Sequence, residues 1–526
     1  MVLTSTYQNQ FFYYGARGHK QGRGFEGFYA QRIYDTRNQL YTYDYMQRAF
    51  PFTGTFLQRT VVNGTARVLE KTGVPNYQTT GGTGFERRFF PFLASTSEAN
   101  YEVGGTLDGT VVTQTTVSNT YGDGFGNLTQ VVTTTTDKDS GSPYYNLAWQ
   151  NTVTTGYQND STNWCYGLPT TESEQNVVPG QTTQTRSFSY TVDSSVCRIT
   201  QQDIEPSTAA LKVTTLLGFD AAGNISSIAV TGHNPDGSAM PVRTTQFGYG
   251  TRLQLPELIT NALGQSSSIA YDYTFGVPTL ATDLNNVATQ WAYEDFGRLS
   301  KTTYPDGTFT TRAYTACNSA NSFCGVPDLR LKVSDAKYSS SSTLITQSYS
   351  YSDGFNRVRD RESARVLGIW TIDEITYFDS LGRRIQRYRP YSSATNGYQK
   401  WTYDQINRTK QEQLYNSGGA LDRTTGYSYT GRTVSIRDPL GNTVQRVSDV
   451  WGRLRKVTDP APGGTTAYDF DAFGNLVKTT DAIGAVASAT YNLRGFRTQM
   501  VDPDQGTWNF NADSLNELVS WTDAKS

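Results

Sequence analysis

The sequence predicts an all-β protein: one long antiparallel sheet of stacked β-hairpins, coiled by the natural twist of its strands. Three observations predict it. A degenerate motif, aromatic-Asp-x-x-Gly-(Arg/Asn)-Leu, returns through the C-terminal half, with turn positions at Gly431, Gly452, Gly474 and Gly495. A short fixed period marks an array of one supersecondary unit. Thr, Ser, Tyr, Gly and Asn dominate the composition, as expected for many short strands joined by tight turns. No amphipathic helix of useful length is visible.

Taken in order, residues 1–100 are aromatic and rich in Gly and Arg, as in Phe11-Phe-Tyr-Tyr-Gly-Ala-Arg17, Gly22-Arg-Gly-Phe-Glu-Gly-Phe28 and Phe50-Pro-Phe-Thr-Gly54. Alternating aromatics with glycine turns predict strands. Residues 101–260 are rich in Thr and Val, as in Gln130-Val-Val-Thr-Thr-Thr-Thr136, and predict longer antiparallel strands with one polar face. Degenerate repeats already occur here, with turn glycines at Gly126 and Gly223. Residues 261–526 hold the frequent array, in which Gly276, Gly297, Asn356, Gly382, Asn407 and Asn516 extend the series of turn positions. An insertion near 315–345 carries Cys317, Cys324 and the run Ser339–Ser342, and is expected to be an exposed loop.

Alternation of Gly with Asn at one motif position has a physical cause. These residues enter the left-handed region at least cost, so the position is the corner of a β-turn. The Asp before it bonds backbone amides of its own turn, and the following Leu or Val starts the next strand. The upstream aromatic is expected to stack on its equivalents in neighbouring repeats. Tyr304-Pro-Asp-Gly307 supplies the second turn of the unit.

Hydrophobic residues make up 36% of the chain and aromatics 13%, so Tyr and Phe must supply much of the buried area. The net charge of −2, with both signs interspersed, provides no basic stripe for phosphates and disfavours nucleic acid. No apolar run approaches the roughly 18 residues that span a bilayer. The N-terminus shows no Sec-type signal, so export by a dedicated machine, or a natural start upstream of Met1, is expected. Cys165 with Cys197, and Cys317 with Cys324, are candidate disulfides by local spacing; four buried thiols are the alternative. His19 and His233 lie far apart in sequence, no Cys-x-x-Cys spacing occurs, and neither metal nor cofactor is expected.

These repeats resemble the RHS/YD-repeat family, and the first hundred residues resemble the segment of Tc-toxin B components that leads into the RHS shell. Resemblance implies a strand spiral wound into a hollow shell that sequesters a toxic C-terminal domain. At most roughly 8,000 Å² of sheet can be tiled from a chain of this length, a closed radius near 25 Å, so a partial, open shell or truncated array is expected. The Asp-Pro-x-Gly-Leu closing motif of self-cleaving members is not found. Asp438-Pro-Leu-Gly-Asn442 sits mid-array as an ordinary turn, no toxin domain is read after Ser526, and no autoproteolytic residue is carried over.

Catalysis is not expected. The pairs Asp469/Asp471 and Asp502/Asp504 place two carboxylates on one strand face, yet Asp471 and Asp502 belong to turn motifs. The expected function is a non-enzymatic β-shell segment of a bacterial toxin or secreted effector system, partnered by an encapsulated toxic polypeptide and the remaining shell component. Its location is secreted or cell-surface. The alternative is a carbohydrate-binding or adhesion module using exposed rings such as Trp401, Trp451, Trp508 and Trp521, against the plainer reading of aromatic ladders between strands.

Overall fold

The computed structural model describes residues 9–20, 22, 24–80, 87–317, 329–364, 369–392, 396–460 and 462–525. Forty strands and two short 3-10 turns make up the regular structure there, with no α-helix, and no helix is long and apolar enough to cross a membrane. Thirty-eight strands belong to one antiparallel sheet and the remaining two form the small hairpin Gly18–His19/Gly24–Phe25. Nearly all pairing joins strands consecutive in sequence; Asn9–Tyr14 skips the small hairpin to pair with Ala30–Asp35. The chain forms two compact units. One comprises Gly218–Ala229 and Arg243–Gly426; the other comprises Tyr7–Leu217, Val230–Val242 and Tyr427–Ser526.

Each repeat turns by the same chemistry. In Asp471–Asn475 the Asp471 amide donates to the Asn475 carbonyl (2.9 Å), and the Gly474 amide donates back to Asp471 (3.2 Å). Asp471 Oδ1 accepts the amides of Phe473 and Asn475, while its Oδ2 accepts the Asn475 side-chain amide (2.8 Å). Such a type I turn followed by a left-handed residue shifts the register by one. That shift recurs just upstream of the turn, between Tyr377 and Phe378, Thr402 and Tyr403, Asp469 and Phe470, and Thr490 and Tyr491. The corner residues Gly126, Gly223, Gly276, Gly297, Gly382, Gly431, Gly452, Gly474 and Gly495 all have φ between +54° and +92°; Asn356, Asn407 and Asn516 lie at +59° to +71°.

Arg at the fourth position after the Asp does two jobs. Asp449 Oδ2 accepts Arg453 Nε at 2.8 Å, and the same pairing joins Asp353 to Arg357, Asp379 to Arg383 and Asp404 to Arg408. The same guanidinium then reaches the next repeat. Arg383 donates to the Asp404 carbonyl (3.2 Å) and lies 4.7 Å over the Tyr403 ring; Arg453 donates to the Asp471 carbonyl (3.3 Å) and lies 5.2 Å over Phe470. The motif aromatics at these positions are thus linked to the preceding repeat through arginine, where ring-on-ring stacking was expected. Their hydroxyls go to neighbouring backbone: Tyr293 donates to the Pro278 carbonyl (2.7 Å) and Tyr403 to Arg384 (2.7 Å).

Burial is correspondingly sparse and polar. Among the described residues nine hydrophobic side chains are buried against twenty polar or charged ones, so closed turns and ladders rather than a thick core hold the array together. Asp353 illustrates the electrostatics. Burial pushes its carboxyl up, but hydrogen bonds from the Arg357 side chain and from the Arg357 and Phe355 amides outweigh it and leave it below its ordinary value.

Gly452 isolates the backbone requirement, because a Cβ there meets nothing within 4 Å while φ is +77°. Gly452→Asn is expected to change stability by less than about 0.5 kcal/mol, and Gly452→Val to cost about 2 kcal/mol, because a β-branched residue is strained at positive φ. Urea unfolding of the two variants checks this.

Candidate functional site

Within the second compact unit, the hairpins of residues 427–526 return to segments 102–217 and 230–242 and dock along a polar seam. Its first contact is built on the loop Asp137–Ser142. Asp137, fully buried, accepts the Asp139 amide (2.9 Å) and the Ser142 hydroxyl (2.6 Å), which fixes both acids in place. Asp139 Oδ2 then accepts the Arg432 amide at 2.7 Å, and the buried Glu102 carboxylate accepts the Gly431 amide at 3.0 Å. Arg432 donates to the Val112 carbonyl (3.2 Å) and to Thr113 Oγ1, with its Nε 3.8 Å from Asp137 Oδ1. At that distance the last contact is an ion pair and not a hydrogen bond.

Further along, Arg455, 6% exposed, donates to the Tyr144 hydroxyl (3.0 Å) and to Asp469 Oδ1 (2.7 Å). Beside it Trp149, Val178 and Ala472 form a small apolar cluster, with Tyr144 and Val450 packed on it. Arg186 donates to the Leu493 carbonyl (2.6 Å) and stacks 3.8 Å over Phe473. Arg494 donates to the Leu211 carbonyl (3.5 Å), and burial pushes its guanidinium down while it pushes the Glu205 carboxyl up; attraction between the two charges opposes both. Last, the His233 amide donates to Ser514 Oγ (2.6 Å), and the Ser514 amide donates to the His233 carbonyl (2.8 Å).

A single rule recurs along this seam. Val450, Ala472, Phe473, Leu493, Arg494, Ser514 and Leu515 are variable residues between Asp or Asn and the corner residue in successive motifs. They make docking contacts alongside those of Gly431, Arg432 and Arg455. At the opposite ends of the same hairpins, Leu440 and Ile483 hold an equivalent turn position and are 87% and 90% exposed.

Two segments of the chain, residues 449–486 and 470–507, match the family model described as RHS Repeat. Residues 449–507 carry RHS repeats. No curated protein matches it significantly in sequence. Its fold is that of known toxin-complex structures. A crystal structure of TcdB2-TccC3 superposes with a TM-score of 0.74 at 11% identity, covering 98% of this chain and 37% of that one. A Photorhabdus luminescens Tc holotoxin pore superposes with a TM-score of 0.75 at 10% identity, covering 98% and 38%. The chain therefore spans a little over a third of the length of the chains it matches.

Other residues singled out by sequence fall as follows. Cys165 and Cys197 form a disulfide with Cα atoms 5.3 Å apart. Cys317 is disulfide-bonded, and Cys324 lies outside the described residues. Ser339–Ser342 closes the hairpin between Leu329–Tyr338 and Leu344–Asp353. Asp438 sits in a turn of the same kind, its carboxylate taking the amides of Leu440 and Asn442. The paired acids have separate tasks: Asp469 binds Arg455, Asp471 closes its own turn, and Asp502 accepts the amides of Asp504 and Gln505. Trp401 lies under Arg384 and Trp451 beside Arg453, whereas Trp508 stacks on Trp521 at 5.5 Å across paired strands. In the N-terminal segment Arg17 pairs with buried Glu26 (3.0 Å), and Tyr13 meets Phe28 at 4.8 Å, so the Phe11–Arg17 and Gly22–Phe28 motifs close on each other. Sequence reading missed the seam acids Glu102, Asp137 and Asp139. Their local signal, acids flanking a Ser/Gly turn, is the same as that of any exposed loop.

Concavities among the described residues include two open to small groups. One, of about 500 Å³, lies between Glu70, Tyr101, Gln114 and Lys138 in the second unit. Another, of about 370 Å³, lies in the first unit and is lined by Asp335, Tyr349, Arg361, Glu362 and Asp373. Neighbouring Asp360 has a buried Oδ1 without a hydrogen-bond partner. Burial, reinforced by the Glu362 charge, pushes its carboxyl up to about 7. No group of three or more metal-ligating side chains occurs among the described residues.

Two outcomes test this electrostatic picture. Arg432→Ala leaves Asp137 buried without its countercharge and is expected to cost about 3 kcal/mol in urea unfolding, whereas Leu440→Ala at the free hairpin end should cost under about 0.5 kcal/mol. Between the ordinary carboxylate value and about 7, folded Asp360 keeps a proton that the unfolded chain has lost. Stability from this group therefore falls as pH rises through that window. Asp360→Asn should match the parent Tm near pH 4 and exceed it increasingly toward neutrality, as read by thermal melts across pH.

Proposed function

We propose that this chain forms part of the wall of a β-shell in a bacterial toxin or secreted effector system, and that the wall encloses or carries a toxic polypeptide without itself acting as an enzyme. The observation that carries this reading is the seam. RHS repeats that stack only on one another make a ribbon with free edges; repeats whose turns dock onto segments some three hundred residues earlier make a wall fastened along one row of hairpin ends. Likeness to TcdB2-TccC3 over 98% of the chain supports the same role. In this reading residues 1–100 lead into the wall, 101–260 and 261–526 build it, and the partners are the cargo and the remaining shell component. Release outside the producing cell, by a dedicated export system, follows from such a role.

Polar chemistry suits the task. The strand Gln130–Asp137 carries four consecutive Thr and Ser266–Asp272 opens with three Ser, so an unfolded guest beside them meets hydroxyls as well as apolar side chains.

A reporter polypeptide appended after Ser526 and co-produced with the remaining shell component should resist added protease in the parent. It should become cleavable when Asp139→Ala and Arg432→Ala together open the seam. A reporter digested equally fast in both, with the wall itself intact, would overturn the enclosure.

A further inference from the structure

Three adjacent hairpin tips in the second compact unit are fastened together. They connect Val111–Thr120 to Gln130–Asp137, Ala148–Asp160 to Cys165–Val177, and Gln184–Asp193 to Arg198–Ile204. The Cys165–Cys197 disulfide ties the second tip to the third. A polar knot ties the first to the second: Asn127 donates to Asp123 and to Asn159 Oδ1 (3.0 Å), Asn159 donates to Asp123 Oδ2 (3.0 Å), and the Gly167 amide donates to Asn159 Oδ1 (2.9 Å). Within the second tip, Asp160 accepts the amides of Thr162 and Asn163 and the Asn163 side-chain amide (2.9 Å).

This rigid mount holds three aromatic rings out in water. Trp164 is 81% exposed, Phe125 57% and Tyr166 41%. Phe125 and Tyr166 are stacked at 5.4 Å with 29° between planes, and Trp164 stands nearly perpendicular to Tyr166, 6.2 Å away and at 87°. Trp164 takes a left-handed backbone, φ +56°, as the last loop residue of its hairpin, the position Cys197 holds at φ +54° in the third tip. Its side chain is among the most exposed large ones described.

The surroundings define the ligand class. Asp123, Asp160, Asn127, Asn159 and Asn163 belong to the same two tips as the rings, so carboxylates and amides, suited to hydroxyl donors, lie on the mount that carries them. Carboxyl–amide bonding keeps both acids ionised: Asn163 holds Asp160 below its usual value, and in Asp123 the effect of burial is outweighed by bonds from Asn127, Phe125 and Asn159. Acids on this mount disfavour phosphates and nucleic acid. An aromatic face carries partial negative charge, which attracts the polarised C–H groups on one side of a sugar ring. Two rings at right angles offer that sugar a floor and a wall.

We propose that Trp164, Tyr166 and Phe125 form a stacking platform for a neutral carbohydrate, with Asp160 and Asn163 bonding its hydroxyls. Because the three tips are already fastened, binding needs little ordering of the protein, which favours a weakly held ligand. The site lies apart from the seam and does not depend on cargo enclosure.

The test uses the full chain on an array of neutral oligosaccharides, followed by calorimetry with the strongest binder. Trp164→Ala should weaken that binding about tenfold or more, and Asp160→Asn by a smaller factor, while Trp164→Tyr should stay within about threefold of the parent. Far-UV circular dichroism and Tm should be unchanged, as expected for so exposed a side chain. Absence of binding to every neutral glycan, or equal affinity in the parent and Trp164→Ala, overturns the proposal. So does Trp164-dependent binding to zwitterionic lipid vesicles with none to glycans, which would assign the platform to a membrane surface.

Discussion

The structure depends on one recurring electrostatic clasp, the turn carboxylate that caps its own backbone amides and grips the Arg or Asn four residues on. A charge-assisted hydrogen bond of this kind contributes about 1.5–3 kcal/mol. With only nine hydrophobic side chains buried among the described residues, no large core is available to take its place. Arginine extends the clasp beyond one repeat, since Arg383 and Arg453 each hold their own Asp while donating to the next repeat's carbonyl and covering the next repeat's ring. Ion pair, backbone bond and cation–π contact thus converge on one guanidinium, whose planar fork can make them together where an ammonium cannot.

The seam uses the same economy at longer range. Its acids Glu102 and Asp139 receive backbone amides from Gly431 and Arg432, and its arginines 186 and 494 donate to backbone carbonyls of Leu493 and Leu211. Contacts to backbone do not require a particular side chain on the partner. Gly431, Arg432 and Leu493 are engaged in this way, whereas Ala472, Phe473 and Ser514 dock through their side chains.

Hairpin fold and repeat register were legible because their causes lie within a few residues of each other. Asp, two variable residues, and Gly or Asn encode a turn by hydrogen bonds spanning four residues, and Leu or Val then restarts the strand. The role of the following Arg was only half visible: its charge opposite Asp is local, but its reach to the next repeat depends on the hairpin pairing that brings Tyr403 or Phe470 under it. Trp164-Cys-Tyr-Gly167 stands out in sequence only as a short motif, with no role attached, for the same reason. Only the joining of three hairpin tips shows Trp164 mounted and uncovered.

By itself, then, the sequence determined the all-β class, the hairpin unit, the left-handed corner and the absence of a thick apolar core, all set by short-range backbone preference and composition. Tertiary structure decided which variable turn residues are buried in the seam and which, like Leu440 and Ile483, stay in water. The physical reason is that docking depends on which distant backbone amides and carbonyls come within hydrogen-bond distance, and a one-dimensional period carries no record of that.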